Sequence, residues 1–309
     1  MKVKALLLAA GKGTRLWPLT EVRAKAAVPY RGVPLVRTLA RQLLAAGIND
    51  IAVNLHHLPD SVRAALDGVP ATFSMEEELL GTSGALHALR SFLDGAWFWS
   101  INAKIAMAPM PPRAIHEEPP QVITAVLAPA PPGVPYTRVD VSGDPPRIVG
   151  FRGADTQDGS GLFFTGVQLV GPRVWEFLPE PGFSHFPSDV YPRLHAAGQP
   201  VGAWVVTDTW QEFSTLERYL RYHLQSGASP AWWGKGVRVS GSARVSESVL
   251  WDGVVVERLA RIHQCILADG VRIPSGRTLD RVAVVPLDRA GHDPRGEVLD
   301  DNLVVAIPS

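Results

Sequence analysis

Apolar positions along the first two thirds of the chain come in short runs separated by amphipathic stretches. The first run, Leu6-Leu7-Leu8-Ala9-Ala10, ends in Gly11-Lys12-Gly13-Thr14-Arg15 and predicts a buried parallel strand followed by a sharp turn. Val36, Leu39, Ala40, Leu43 and Leu44 recur at helical spacing, and Gly47 closes that helix. Residues 51–55 form a second strand, Asp60 caps a helix through Leu66, and residues 71–75 form a third, short strand. Gly81 to Gly84 make a tight turn into a helix reaching Phe92, with Thr82 or Ser83 as its cap, and a strand over 97–101 follows. This alternation predicts an α/β fold with an open, Rossmann-like, mostly parallel sheet and ligands at the carboxyl ends of its strands.

Further on, residues 121–128 and 201–207 read as strands, 137–141 and 147–151 as a hairpin around Ser142-Gly143-Asp144, and 174–178 and 186–197 as helices. The proline-rich stretches 109–120 and 129–135 lack periodicity; the first predicts a loop or lid, the second a bend. Ser214 with Glu217 three residues on matches a capping box at a helix start. From 236 to 276 the pattern changes. Small apolar residues recur about every sixth place, at Ala243, Val249, Val254 or Val255, Ala260, Ile266 and Val271. That is the hexapeptide period of a short left-handed parallel β-helix of about two coils. Its open ends need cover, from the α/β domain or from a second subunit in a homo-oligomer. The expected organisation is an α/β domain over 1–230, the β-helix over 236–276, and a tail over 277–309 packing on it.

Composition narrows the classes. Of 309 residues, 46% are hydrophobic, enough for a sizeable core. Thirty basic residues balance thirty acidic ones, which argues against a nucleic-acid or membrane partner held by bulk charge. One cysteine, Cys265, excludes an intramolecular disulfide framework and makes a cytoplasmic location natural. Met1 to Ala10 imitates a signal peptide, but the apolar run is short and ends in Gly-Lys-Gly-Thr-Arg, so it reads as a strand. No apolar stretch is long enough to span a bilayer.

The candidate chemistry lies in the first turn. Gly11 and Gly13 let main-chain amides approach a ligand, and Lys12, Arg15 and Lys25 add three cations, a pattern suited to a polyphosphate. No Gly-Lys-Ser/Thr is present, so this is no P-loop; Leu16 stands where a dinucleotide fingerprint has its third glycine. A Gly-rich turn alone is equally an ordinary tight turn. The whole string over 7–20, however, resembles the G-x-G-T-R-L-x-P-L-T block of the sugar-1-phosphate nucleotidyltransferases, the nucleotide-sugar pyrophosphorylases.

The resemblance implies a glycosyltransferase-A-like domain that takes a nucleoside triphosphate and a sugar 1-phosphate and releases NDP-sugar and pyrophosphate. It implies that Leu8, Ala9, Ala10, Gly11, Gly13 and Thr14 hold the nucleotide, with Arg15 and Lys25 at the phosphates. Gly81 and Gly84, in a segment similar to the family's L-G-T-x-G-A, would border the base; the Gly84-Ala85-Leu86 form is most similar to mannose-1-phosphate guanylyltransferases. Asn102, Thr165 and Gly166 would face the sugar.

The chain departs from the family pattern in four places. The usual Pro-Lys-Pro is Ala24-Lys25-Ala26, and the Glu-Lys pair expected after Phe151 is Arg152-Gly153. The aspartates that bind catalytic Mg²⁺ are replaced by Lys104 and Glu212. An ammonium cannot ligate Mg²⁺. Lys104 either supplies charge at the phosphates without a metal or marks a site that has lost catalysis, leaving Glu212 as the remaining metal ligand. The alternative function is therefore a catalytically impaired homologue that binds nucleotide-sugar and regulates a partner. His263 and Cys265 alternate in the β-helix and read as structural, since no metal-ligand spacing surrounds them.

Overall fold

A computed structural model describes residues 3–107, 121–130, 136–153, 161–207, 210–225, 231–290 and 293–308. The loop or lid expected over 109–120, and 131–135 of the second bend, lie outside the described residues. The chain forms two compact units. The first comprises Met1–Gly11, Leu39–His56 and Leu66–Trp210; the second comprises Lys12–Thr38, His57–Ala65 and Gln211–Ser309.

The first unit is built on a nine-stranded sheet of β1 (Val3–Leu8), β2 (Ile51–Leu55), β3 (Thr72–Met75), β4 (Trp97–Asn102), β5 (Ile123–Pro129), β6 (Arg138–Ser142), β7 (Arg147–Arg152), β8 (Leu162–Val170) and β9 (Gly202–Val205). Their order is β3-β2-β1-β4-β8-β5-β9-β7-β6. β1 runs parallel to β2 and β4, while β8 is antiparallel to β4 and β5 and β7 to β9 and β6, so the sheet is mixed and not mostly parallel as expected. Leu6, Leu7, Ala52 and Val53 are fully buried, which is why the first two strands read as continuous apolar runs rather than alternating ones. Among the described residues the α-helices are α1 (Leu35–Ala45), α2 (Pro59–Ala65), α3 (Gly81–Ala88), α4 (Arg90–Leu93), α5 (Tyr191–Ala196), α6 (Leu216–Leu224) and α7 (Leu287–Ala290). In the first unit Leu86, Leu89 and Leu93 join Leu6, Phe98 and Ile123 in one core.

The expected form of α3 fails here. Neither Thr82 nor Ser83 caps α3: its N-cap is Leu80, without a side-chain bond, because both hydroxyls are engaged by residues 184–186. The helix also breaks at Leu89 before resuming as α4. Thr165-Gly166 lies within β8, where the register with β5 shifts between Phe164 and Val167. The Thr165 hydroxyl donates to Val126 O (2.8 Å) and accepts from Val167 N (3.3 Å), holding that bulge.

In the second unit, strands from Ala231 to Pro286 wind into three parallel faces. Val249 lies opposite Ile266 and Ile266 opposite Ala283, so a coil takes 17 residues, one short of three hexapeptides. Corners recur at the same interval in the left-handed region, at Gly236, Gly253 and Gly270 and at Glu247, Gln264 and Arg281. The apolar sixth residues fill the interior: Val254, Ala260 and Val271 are fully buried. Cys265 is buried there too, and burial pushes its thiol up to about 11, an inert structural cysteine. Val282–Pro286 pairs antiparallel with Asn302–Ala306, so the tail continues the last face. No helix among the described residues is long and apolar enough to cross a membrane.

Candidate functional site

In the first unit, the carboxyl ends of β1 and β4 and the bulge of β8 border a cavity of about 330 Å³, lined among others by Leu8, Thr82, Asn102, Gly166, Gln168 and His185. Gly166 has φ +84°, and a Cβ there would stand 2.5 Å from Asn102 Nδ2, so the glycine is what lets Asn102 occupy this wall. Leu8, Asn102 and Gly166 thus share one cavity, whereas Thr165 is buried and spent on the bulge. Gly81 and Gly84 answer to a different contact. A Cβ on Gly81 would meet Ser184 O at 2.3 Å, and one on Gly84 would meet Gly182 O at 2.1 Å. Both are required by the 182–184 backbone pressing on α3.

Asn54 and His185, which the sequence reading did not place at the site, organise this end of the sheet together with Glu76. Asn54 Oδ1 accepts from Ala9 N (2.7 Å), Asn54 Nδ2 donates to Glu76 Oε1 (2.7 Å), and Glu76 Oε2 accepts from Leu80 N (3.1 Å). Asn54 and Glu76 are both buried, so this relay fixes the end of β1 to the start of α3. A lone asparagine in the apolar run Ile51-Ala52-Val53-Asn54-Leu55 is the signal that could have found it. His185 Nδ1 accepts from Thr82 N (3.1 Å), which leaves the proton of the neutral ring on Nε2.

The second unit holds the rest of the opening motif. Gly13 has φ +66°, and a Cβ there would lie 2.8 Å from Thr20 Cγ2 and 2.9 Å from Lys25 Cβ. The turn and Lys25 therefore pack directly on each other, with Lys25 only 9% exposed. Leu16 N and Trp17 N close the turn on Gly13 O and Thr14 O. Among the described residues the main-chain N–H groups of Lys12, Gly13, Thr14 and Arg15 have no hydrogen-bond acceptor. Lys12, Thr14 and Arg15 are exposed, so open amides and basic side chains coexist on one turn.

The positions expected to hold Mg²⁺ do not make a donor set for it. Glu212 is buried, and its Oε2 lies 3.4 Å from Arg218 Nη1, which also donates to Ser214 Oγ (3.0 Å). Its carboxylate is already neutralised by a guanidinium. Lys104, at the turn after β4, brings an ammonium where a carboxylate is needed. Among the described residues no group of three or more His, Cys, Asp or Glu side chains could hold a metal ion. The expected capping box is also replaced: Thr215 is the N-cap of α6, its Oγ1 accepting from Arg218 N (3.3 Å). The side chain of Ser214 is drawn instead to Arg218. Arg152, where the family places its sugar-contacting pair, is tied to Asp140 across the hairpin (2.8 Å).

Comparison with known proteins agrees with this architecture. Residues 4–119 match the family described as Nucleotidyl transferase, and residues 229–284 match GlmU-like, C-terminal hexapeptide. The chain is 35% identical over 111 residues to a mannose-1-phosphate guanyltransferase of Candida albicans, covering 33% of this chain and 31% of the relative. It is 25% identical over 292 residues to a UTP–glucose-1-phosphate uridylyltransferase of Synechocystis, covering 82% of this chain and 72% of the relative. The match thus spans less than a third of the guanyltransferases' own length. The crystal structure of HddC from Yersinia pseudotuberculosis shares the fold with a TM-score of 0.62 at 22% identity, over 73% of this chain and all of that one. The same protein complexed with GMP-PN aligns equally well, at 20% identity. Residues 4–119 thus carry a nucleotidyl transferase segment and 229–284 a hexapeptide segment, and the relatives they match are sugar-1-phosphate nucleotidyltransferases.

Proposed function

We propose that the protein transfers a nucleoside monophosphate from a nucleoside triphosphate to a sugar 1-phosphate. A phosphate oxygen of the sugar 1-phosphate attacks the α-phosphorus, a new P–O bond forms, and the α–β bridging oxygen leaves with pyrophosphate. Such transfer depends on in-line positioning and on neutralising charge. The observation that carries the reading is the packing of Lys25 on a turn whose amides are open. In this reading the amides of Gly11, Gly13 and Thr14 hold the triphosphate, with Arg15 and Lys25 neutralising it. Leu8, Ala9 and Ala10 lead the chain into that turn, Gly81 and Gly84 support the base side through α3, and Asn102 with Gly166 receives the sugar. Relatives named for mannose and glucose 1-phosphates make a hexose 1-phosphate and GTP or UTP the first substrates to try. A left-handed coil, self-association through it and a cytoplasmic location complete the proposal. Pyrophosphate release, measured for GTP, UTP, dTTP and ATP with mannose or glucose 1-phosphate, tests it; release above background with one pair is expected, and none with any pair would overturn it.

The engagement of Glu212 by Arg218 and the ammonium of Lys104 favour a second reading, a homologue that binds nucleotide-sugar without turning it over. Binding without pyrophosphate release would support that one. Lys104→Asp then distinguishes a missing carboxylate from a wider loss: gain of Mg²⁺-dependent release is expected if position 104 limits turnover, and no gain excludes that cause.

A further inference from the structure

Lys25 sits between two alanines, Ala24 and Ala26, neither of which stiffens the chain. Yet the segment around it is held at three points, all within the second unit. Ahead of it, Arg23 donates from Nε to Asp269 Oδ2 (2.6 Å) and from Nη2 to Asp269 Oδ1 (2.8 Å) and Asp252 Oδ2 (2.7 Å). Asp252 and Asp269 are one coil apart, and Asp252 N donates to Asp269 Oδ1 (3.1 Å), so one guanidinium clamps two successive coils. Arg23 also lies over the Trp251 ring, 5.5 Å from its centroid. Beyond Lys25, the Tyr219 hydroxyl donates to Pro29 O and accepts from Trp251 Nε1 (2.9 Å). Between them, Ala24 N donates to Ser61 Oγ (2.9 Å).

Two of the three anchors end on neighbouring coil residues, Trp251 and Asp252. Burial opposes the charge of Arg23, but its hydrogen bonds and attraction to Asp269 and Asp252 outweigh that and raise its pKa further. A forked, partly desolvated pair of this kind fixes direction as well as distance.

We propose that the coil is the positioning element for Lys25, with Arg23, Asp252 and Asp269 as positioning residues for the triphosphate; this rests on the reading that Lys25 binds phosphate. The coil then does more than cap the chain: it sets the direction of a ligand-binding cation two residues from its own contact. Nothing in the clamp touches the ligand, so its loss reaches the ligand only through Lys25.

The test is titration calorimetry of the full chain with GTP and UTP, using Arg23→Gln, Asp269→Asn, Lys25→Met and the Arg23→Gln/Lys25→Met pair. Affinity falls roughly tenfold in Arg23→Gln and in Asp269→Asn. In the Lys25→Met background Arg23→Gln causes no further loss, an outcome a merely structural role would not give. Equal affinity in folded Arg23→Gln, or the same fold-loss with and without Lys25, overturns the inference while the triphosphate reading stands. No binding by the unaltered protein overturns both. Should Arg23→Gln not fold, Asp252→Asn, which loses one bond of three, is judged by the same comparison.

Discussion

Lys25 lies against Gly13: a Cβ added to the glycine would stand 2.9 Å from the Cβ of the lysine, at a backbone angle of φ +66°. Two parts of the opening motif, twelve residues apart, thus form one structural element. Gly13→Ala strains the backbone and displaces Lys25. It is expected to destabilise the protein by about 1–2 kcal/mol in urea unfolding and to weaken triphosphate binding in parallel. Unchanged stability and affinity would show that the contact is slack.

Glu212 is expected to behave as an ion-pair partner, not a metal ligand. Both it and Arg218 are largely buried, with side chains 7% and 13% exposed. Glu212→Gln should cost roughly 3 kcal/mol in denaturant unfolding, because a buried guanidinium loses its counter-charge. Titrating Mg²⁺ alone into the unaltered protein should give no saturable heat. Saturable binding that Glu212→Gln abolishes would restore Glu212 as a ligand.

Asn54 ties the end of β1 to the start of α3 through Glu76. Asn54→Leu has nearly the right volume but strands the Ala9 amide and the Glu76 carboxylate in the interior. A loss of about 2–4 kcal/mol is expected, with faster hydrogen exchange at Ala9 and Leu80. A neutral substitution would mean that water replaces the relay.

His223 makes stability depend on mild acid. Its Nδ1 donates to Tyr219 O (2.8 Å) and its Nε2 accepts from Arg31 N (3.3 Å). Burial, with the charge of Arg31, holds its pKa down to about 4 from 6.5. The unfolded chain therefore binds the proton first. The contribution is complete above pH 6.5 and is lost as pH falls toward 4, by up to roughly 3 kcal/mol. Unfolding free energy measured across that window should fall with pH, and His223→Gln should flatten the slope; an unchanged slope would assign it to other groups.

The sequence carried much of this. Apolar runs and the hexapeptide period announced the sheet and the coil because burial on both faces, and small apolar residues filling the coil interior, leave marks every few positions. Gly11 to Arg15 announced the turn. What stayed hidden was long-range: Arg23 reaches Asp252 and Asp269 across more than two hundred residues, and no local pattern encodes that. Gly81 and Gly84 read as ligand contacts, yet each meets the 182–184 backbone. A glycine shows that something approaches closely, not what approaches. Ser214 matched a capping box by spacing, but the neighbouring Thr215 took the cap while Arg218 claimed the serine.

The most direct test follows the α-phosphate itself. GTP or UTP labelled at the α-phosphate is incubated with mannose or glucose 1-phosphate and the unaltered protein, or with Lys25→Met. Label is expected in NDP-sugar with one equivalent of pyrophosphate, reduced at least tenfold in the variant. Label that remains wholly in the triphosphate, or transfer that survives loss of Lys25 undiminished, would contradict it.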